Sequence, residues 1–121
     1  DMYNFNRKDI KMFIQSSRKR AVCKDGFSIS IQASENHYCT PRVSGAYIEY
    51  EDVELGFPSK DEDLIMEWIE VIDDTPATAS VYPHVPAEIV KKMIDKHGGL
   101  VDGEMPELNL SINIRSDKCI G

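Results

Sequence analysis

Three groups of side chains in this sequence could do chemistry. The last alternating stretch places Asn113 and Arg115 on the parity opposite Leu108, Leu110, Ile112 and Ile114, and Asp117 follows in the tail. Arginine offers a planar donor fork that suits phosphate, while Asn and Asp exchange hydrogen bonds with base edges and ribose hydroxyls. Phe57 in Gly-Phe-Pro-Ser and Tyr82 in Val-Tyr-Pro-His sit at element ends, where a ring projects into a cleft and can stack on a purine. Arg18, Arg20 and Lys24 share one face of a strand beside Ser28, and where subunits meet they could converge on a polyanion. Each group also has a plainer reading: a frayed terminus, rings packed in the core, a solvated edge strand. The residues alone favour the plainer readings for Arg18–Lys24 and for the tail.

Covalent chemistry finds less support. There is no G-x-x-x-x-G-K-[ST], no G-x-G-x-x-G and no G-x-S-x-G. His37, His84 and His97 are too far apart in sequence for a helix or loop metal pair. Cys39 next to His37 hints at a thiol nucleophile, but nothing marks a partner, and a structural cysteine is the stronger reading. The acidic runs Asp61-Glu62-Asp63 and Asp73-Asp74 read as a helix start and a solvated loop rather than a metal site. The expectation is therefore a protein that is not an enzyme, with no catalytic residue, no metal and no cofactor.

The net charge of −7 hides a split. Residues 1–24 hold seven Lys/Arg against two Asp/Glu, whereas residues 25–107 hold five against eighteen. An acidic chain is a poor general binder of nucleic acid, although a local basic zone can still hold a small anion. No apolar run approaches the roughly 20 residues of a membrane span, and no secretory leader is evident. Three cysteines, an odd number without C-x-x-C spacing, suggest reduced thiols in the cytoplasm. Residues 1–121 suit one domain with a real core.

The positioning elements follow from periodicity. Ile10, Phe13 and Ile14 predict a short N-terminal helix. Arg18–Lys24, the turn Asp25-Gly26 and the alternating Phe27–Ser34 predict a hairpin with a two-residue turn. Ala46–Phe57 switches parity at Glu51-Asp52, which predicts a bulge or turn there. Ser59 with Glu62 reads as a capping box ahead of Leu64, Ile65, Trp68, Ile69 and Ile72, a helical stripe. Val81–Val85 is extended, and Pro86 opens a helix whose buried stripe is Ile89, Val90, Met93, Ile94 and His97, stopped by Gly98-Gly99. The expected fold is α+β: an antiparallel sheet of four to five strands covered by two longer helices plus the short N-terminal one.

Several stretches together resemble a family of small phage-encoded proteins: Asn6-Arg7-Lys8-Asp9-Ile10; the run Ser30-Ile-Gln-Ala-Ser-Glu-Asn-His-Tyr-Cys-Thr-Pro-Arg42; Val53-Glu-Leu-Gly-Phe-Pro-Ser59; Val81-Tyr-Pro-His-Val-Pro-Ala-Glu-Ile-Val90; and Lys96-His-Gly-Gly99. The likeness spans roughly residues 3–100 and points to the anti-Thoeris proteins, which sequester the cyclic ADP-ribose isomer made by bacterial TIR-domain enzymes. The resemblance implies a homo-oligomer, dimer or higher, in the cytoplasm of a bacterial host. It also implies a cyclic nucleotide as ligand, held without cleavage, and cyclic oligonucleotides at a second site. It does not assign residues. By chemistry, Phe57, Tyr82, Asn113, Arg115 and Asp117 suit the first ligand, and Arg18, Arg20, Lys24 and Ser28 the second. No nucleic acid or membrane partner is expected. The alternative is a protein-binding inhibitor of a host defence complex, in the manner of an anti-CRISPR, with the acidic middle segment as its binding surface.

Overall fold

The computed structural model describes residues 17–110. Five antiparallel strands form one sheet: β1 (Ala21–Cys23), β2 (Ser28–Gln32), β3 (Asp52–Gly56), β4 (Val81–Pro86) and β5 (Leu100–Asp102), in the spatial order β4-β3-β2-β1-β5. Among the described residues one α-helix, α1 (Ala87–Lys96), continues directly from β4. Two short 3₁₀ segments, Asp63–Trp68 and Ala77–Ala79, fill the link from β3 to β4. Among the described residues no helix is long and apolar enough to cross a membrane.

The hairpin forms around Asp25-Gly26, but its loop is Lys24-Asp25-Gly26 and not the expected two-residue turn, because the Cys23 N–H donates to the Phe27 carbonyl at 2.8 Å. Gly26 takes a positive φ of 96°, and Ala21 pairs with Ile29 and Val22 with Ser28. Alternation then decides the faces. Ala21, Cys23, Ile29, Ile31, Val53, Leu55, Tyr82 and Val85 are buried on one side, against Val90, Met93 and Ile94 of α1 and Ile65 of the 3₁₀ segment. Each of the buried Val, Ile, Leu and Met side chains contributes on the order of 1.5–3 kcal/mol by leaving water. Ser28, Ser30, Asp52 and Glu54 take the intervening positions and are partly exposed.

Three elements differ from expectation. The stripe after Ser59 is a six-residue 3₁₀ segment and not a longer helix. Its cap is Glu62, whose carboxylate accepts from the Leu64 N–H at 3.0 Å. Ser59 instead serves the sheet: its Oγ accepts from the Ser28 N–H at 3.0 Å and its own N–H donates to the Ser28 carbonyl at 2.8 Å. With Ser59 held in that pairing, only Ile65 of the stripe is fully buried; Leu64, Trp68 and Ile69 pack partly, and Ile72 is exposed. Second, Leu100–Asp102, which sequence reading left without an element, is the edge strand β5. Third, the break near Glu51 is a bend, before which Tyr50 makes an isolated parallel bridge to Leu108. The expected N-terminal helix and the strand beyond Leu110 lie outside the described residues.

A one-residue register shift separates the pairs Val53–Val85 and Leu55–Tyr82. Strand β3 has one residue between them, Glu54, and β4 has two, Pro83 and His84. This is a β-bulge, and His84 takes the left-handed φ of 55° within it.

Candidate functional site

The sequence put Phe57 and Arg20 in separate sets; the fold brings them together. Gly56 ends β3 beside the start of β2, with Ser30 opposite Gly56. Phe57 then leaves the sheet at a φ of 57° with its side chain about half exposed. Its carbonyl faces β1, where the Arg20 Nη2 donates to it at 2.5 Å. The same guanidinium donates through Nε to the Ser28 Oγ at 2.9 Å and through Nη2 to the Ser28 carbonyl at 3.1 Å. Among the described residues Arg20 has no carboxylate partner, and its Nη1 makes no hydrogen bond. An arginine fixed on two sides with one nitrogen open can take an anion, and the neighbouring residue it binds through its carbonyl carries a half-exposed ring.

The other proposed residues are placed differently. Tyr82 is fully buried, and its hydroxyl donates to the Ala77 carbonyl at 2.7 Å. Its ring is core, because the β4 bulge falls after it and leaves it on the inward parity, so it offers no face for stacking. Arg18 lies at the far end of β2: its Nη1 donates to the Ala33 carbonyl at 2.7 Å and its backbone N–H to Gln32 Oε1 at 2.8 Å. Lys24 lies past the end of β1, its stem beside Gly98. Arg18, Arg20 and Lys24 all lie outside β1, which is regular only over Ala21–Cys23. Asn113, Arg115 and Asp117 lie outside the described residues.

Sequence reading missed the densest polar cluster. His97, 4% exposed, stacks on Phe27 with ring centroids 4.0 Å apart. Its Nδ1 lies 2.6 Å from Asp25 Oδ2 and its Nε2 lies 2.5 Å from Glu62 Oε1. Lys96 Nζ reaches the other Glu62 oxygen at 2.7 Å. Burial pushes the Glu62 carboxyl upward, but the hydrogen bonds from Lys96, the Leu64 N–H and His97 outweigh it and hold the group below the usual carboxylate range. The Phe27 N–H and His97 likewise hold Asp25 low. Both ring nitrogens of His97 and both carboxylate oxygens of Glu62 are thereby engaged. The cluster is thus a closed ionic clasp joining the hairpin turn, the 3₁₀ start and the α1 C-terminus, where cationic groups also suit the helix dipole. Spacing gave no warning, since the contacts span 72 and 35 residues.

The thiol idea finds no geometry. Cys39 is buried, its Sγ donates to the Ser34 carbonyl at 3.2 Å, and burial pushes its thiol up. The His37 Nδ1 is taken by the Ser34 Oγ at 2.6 Å. Among the described residues no group of three or more His, Cys, Asp or Glu side chains could hold a metal ion. A cleft of about 400 Å³ lies between α1 and the segment from Met105 to Leu110, and none of the proposed ligand residues lines it. No family model, curated protein or solved structure matches the chain.

Proposed function

We propose that this is a phage counter-defence protein that binds a cyclic nucleotide immune signal in the cytoplasm of the bacterial host and holds it without cleaving it. The ligand is a cyclic ADP-ribose isomer, and cyclic oligonucleotides occupy a second site. The sequence resemblance to the anti-Thoeris family motivates the reading. The structural observation that carries it is Arg20: in a chain of net charge −7, this guanidinium is braced by Ser28 and the Phe57 carbonyl, lacks a carboxylate partner among the described residues, and is so tied to the backbone of a residue whose side chain is half exposed.

Sequestration works by mass action. Sub-micromolar affinity corresponds to more than about 8 kcal/mol, which a small polar ligand reaches only when it is well enclosed. The Arg20–Phe57 surface is open, so enclosure falls to a second subunit or to the chain carrying Asn113, Arg115 and Asp117. That requirement is why the proposal includes a homo-oligomer. Calorimetry with cyclic ADP-ribose isomers tests it, followed by heat release and chromatography of the ligand. The expected result is tight binding, recovery of unchanged ligand, and roughly tenfold or greater weakening by Arg20→Ala. Absence of binding, or recovery of a cleaved product, contradicts the proposal.

A further inference from the structure

We propose a separate nucleotide-binding site at the opposite end of β3, built from Tyr38, Arg42 and His84 with Asp52 behind the imidazole. The ligand is a small nucleotide with a planar base, a phosphate and hydroxyl or amine donors. Asp52 begins β3 and Phe57 follows its end, so the two ends lie about 16 Å apart at a strand's rise per residue.

The β4 bulge is what makes this site. It puts His84 in a left-handed conformation that non-glycine residues adopt at a cost. Two contacts hold it there: the His84 N–H donates to the Tyr38 carbonyl at 3.2 Å, and Nδ1 lies 2.9 Å from Asp52 Oδ1. Bulges re-aim side chains in this way beside functional sites. The Asp52 contact occupies Nδ1, so Nε2 is the ring nitrogen left to exchange a hydrogen bond with a ligand. His84 is 51% exposed, so Nε2 is reachable.

The other two groups complete the chemistry. The Tyr38 ring, 45% exposed, lies 6.2 Å from the His84 ring, and the Arg42 guanidinium sits 5.1 Å from the Tyr38 centroid. Arg42 has no carboxylate partner among the described residues. The two acids nearby are already engaged, Asp52 by His84 and Glu54 by the Tyr38 N–H at 2.8 Å. A cation and an oriented imidazole, both neighbours of one exposed ring, match the phosphate, hydroxyl and base of a nucleotide.

The test uses adenosine monophosphate as probe, with adenosine and inorganic phosphate as controls, followed by calorimetry and by the ring resonances of Tyr38 and His84. Saturable shifts at both rings are expected. Arg42→Ala and Tyr38→Ala should each weaken binding about tenfold or more, and His84→Asn, which tolerates the left-handed backbone, should weaken it less. Arg20→Ala should leave this binding unchanged, which separates the site from the sequestration surface: loss of cyclic ADP-ribose binding alone speaks only to the latter. Unmoved rings, adenosine binding as tightly as its monophosphate, unchanged affinity in Arg42→Ala, or an equal loss in Arg20→Ala overturns the proposal.

Discussion

At the residue scale, the account turns on which polar groups are used up and which are left open. His97, Glu62, Asp25 and Lys96 satisfy one another, so their contribution is to stability. His97→Ala leaves Glu62 buried with only Lys96 and a backbone N–H, and should cost about 3 kcal/mol, read as a fall in the urea midpoint. The clasp also sets a pH window. Glu62 and Asp25 titrate lower in the folded chain than in the unfolded one. Their stabilisation is therefore complete above the unfolded carboxylate value of about 4.3 and is lost as pH falls through the folded values. Urea unfolding at pH 7, 5 and 3.5 should show equal stability at the first two and a clear loss at the third, with a smaller acid loss in His97→Ala. None of this was legible in advance: His97 was visible as a buried stripe position, but its partners are distant in sequence. Phe57 and Tyr82 stand in similar aromatic-Pro settings, yet the first is half exposed past the end of β3 and the second is buried within β4. Only the register of β4 against β3 separates the two.

At the scale of elements, alternation and the Asp25-Gly26 signal placed the hairpin but not the length of its loop, and the stripe with its glycine stop placed α1, including the left-handed Gly98 after the helix. Hydrophobic spacing misled after Ser59, because a 3.6-residue stripe also fits a short 3₁₀ segment when tertiary pairing holds its start. Strand β5 escaped notice for a different reason. Leu100, Val101 and Asp102 are all exposed and carry no alternation signal; pairing with β1 defines them. That pairing depends on Gly103, where φ is +87° and an added Cβ would sit 2.0 Å from the Arg20 carbonyl oxygen. Gly103→Ala should therefore detach β5, seen as faster amide exchange at Lys24, whose N–H donates to the Gly99 carbonyl. Because Arg20 lies on the same backbone, the substitution should also weaken ligand binding. Tyr82→Phe tests the buried anchor between β4 and the Ala77–Ala79 turn. Leaving the Ala77 carbonyl without its donor should cost about 1 kcal/mol in the thermal or urea midpoint, with nucleotide affinity unchanged.

At the scale of the molecule, charge and composition excluded more than they identified. They argued against a nucleic-acid binder and a membrane span, and left open what an acidic chain with a few unneutralised arginines would hold. Among the described residues Arg20, held by the Phe57 carbonyl, and Arg42, beside the Tyr38 ring, are two cations without a carboxylate partner that a small anionic ligand would find. Sequestration makes a demand that neither open surface meets alone, so stoichiometry and binding must be read together. The most direct measurement is native mass spectrometry of the purified protein before and after mixing with lysate from cells whose TIR-type defence has been triggered. The account predicts an oligomer that gains the mass of a cyclic ADP-ribose and releases it unchanged on heating, with the gain lost in Arg20→Ala. An unliganded protein with the signal still free, or a signal consumed without retention, would contradict it.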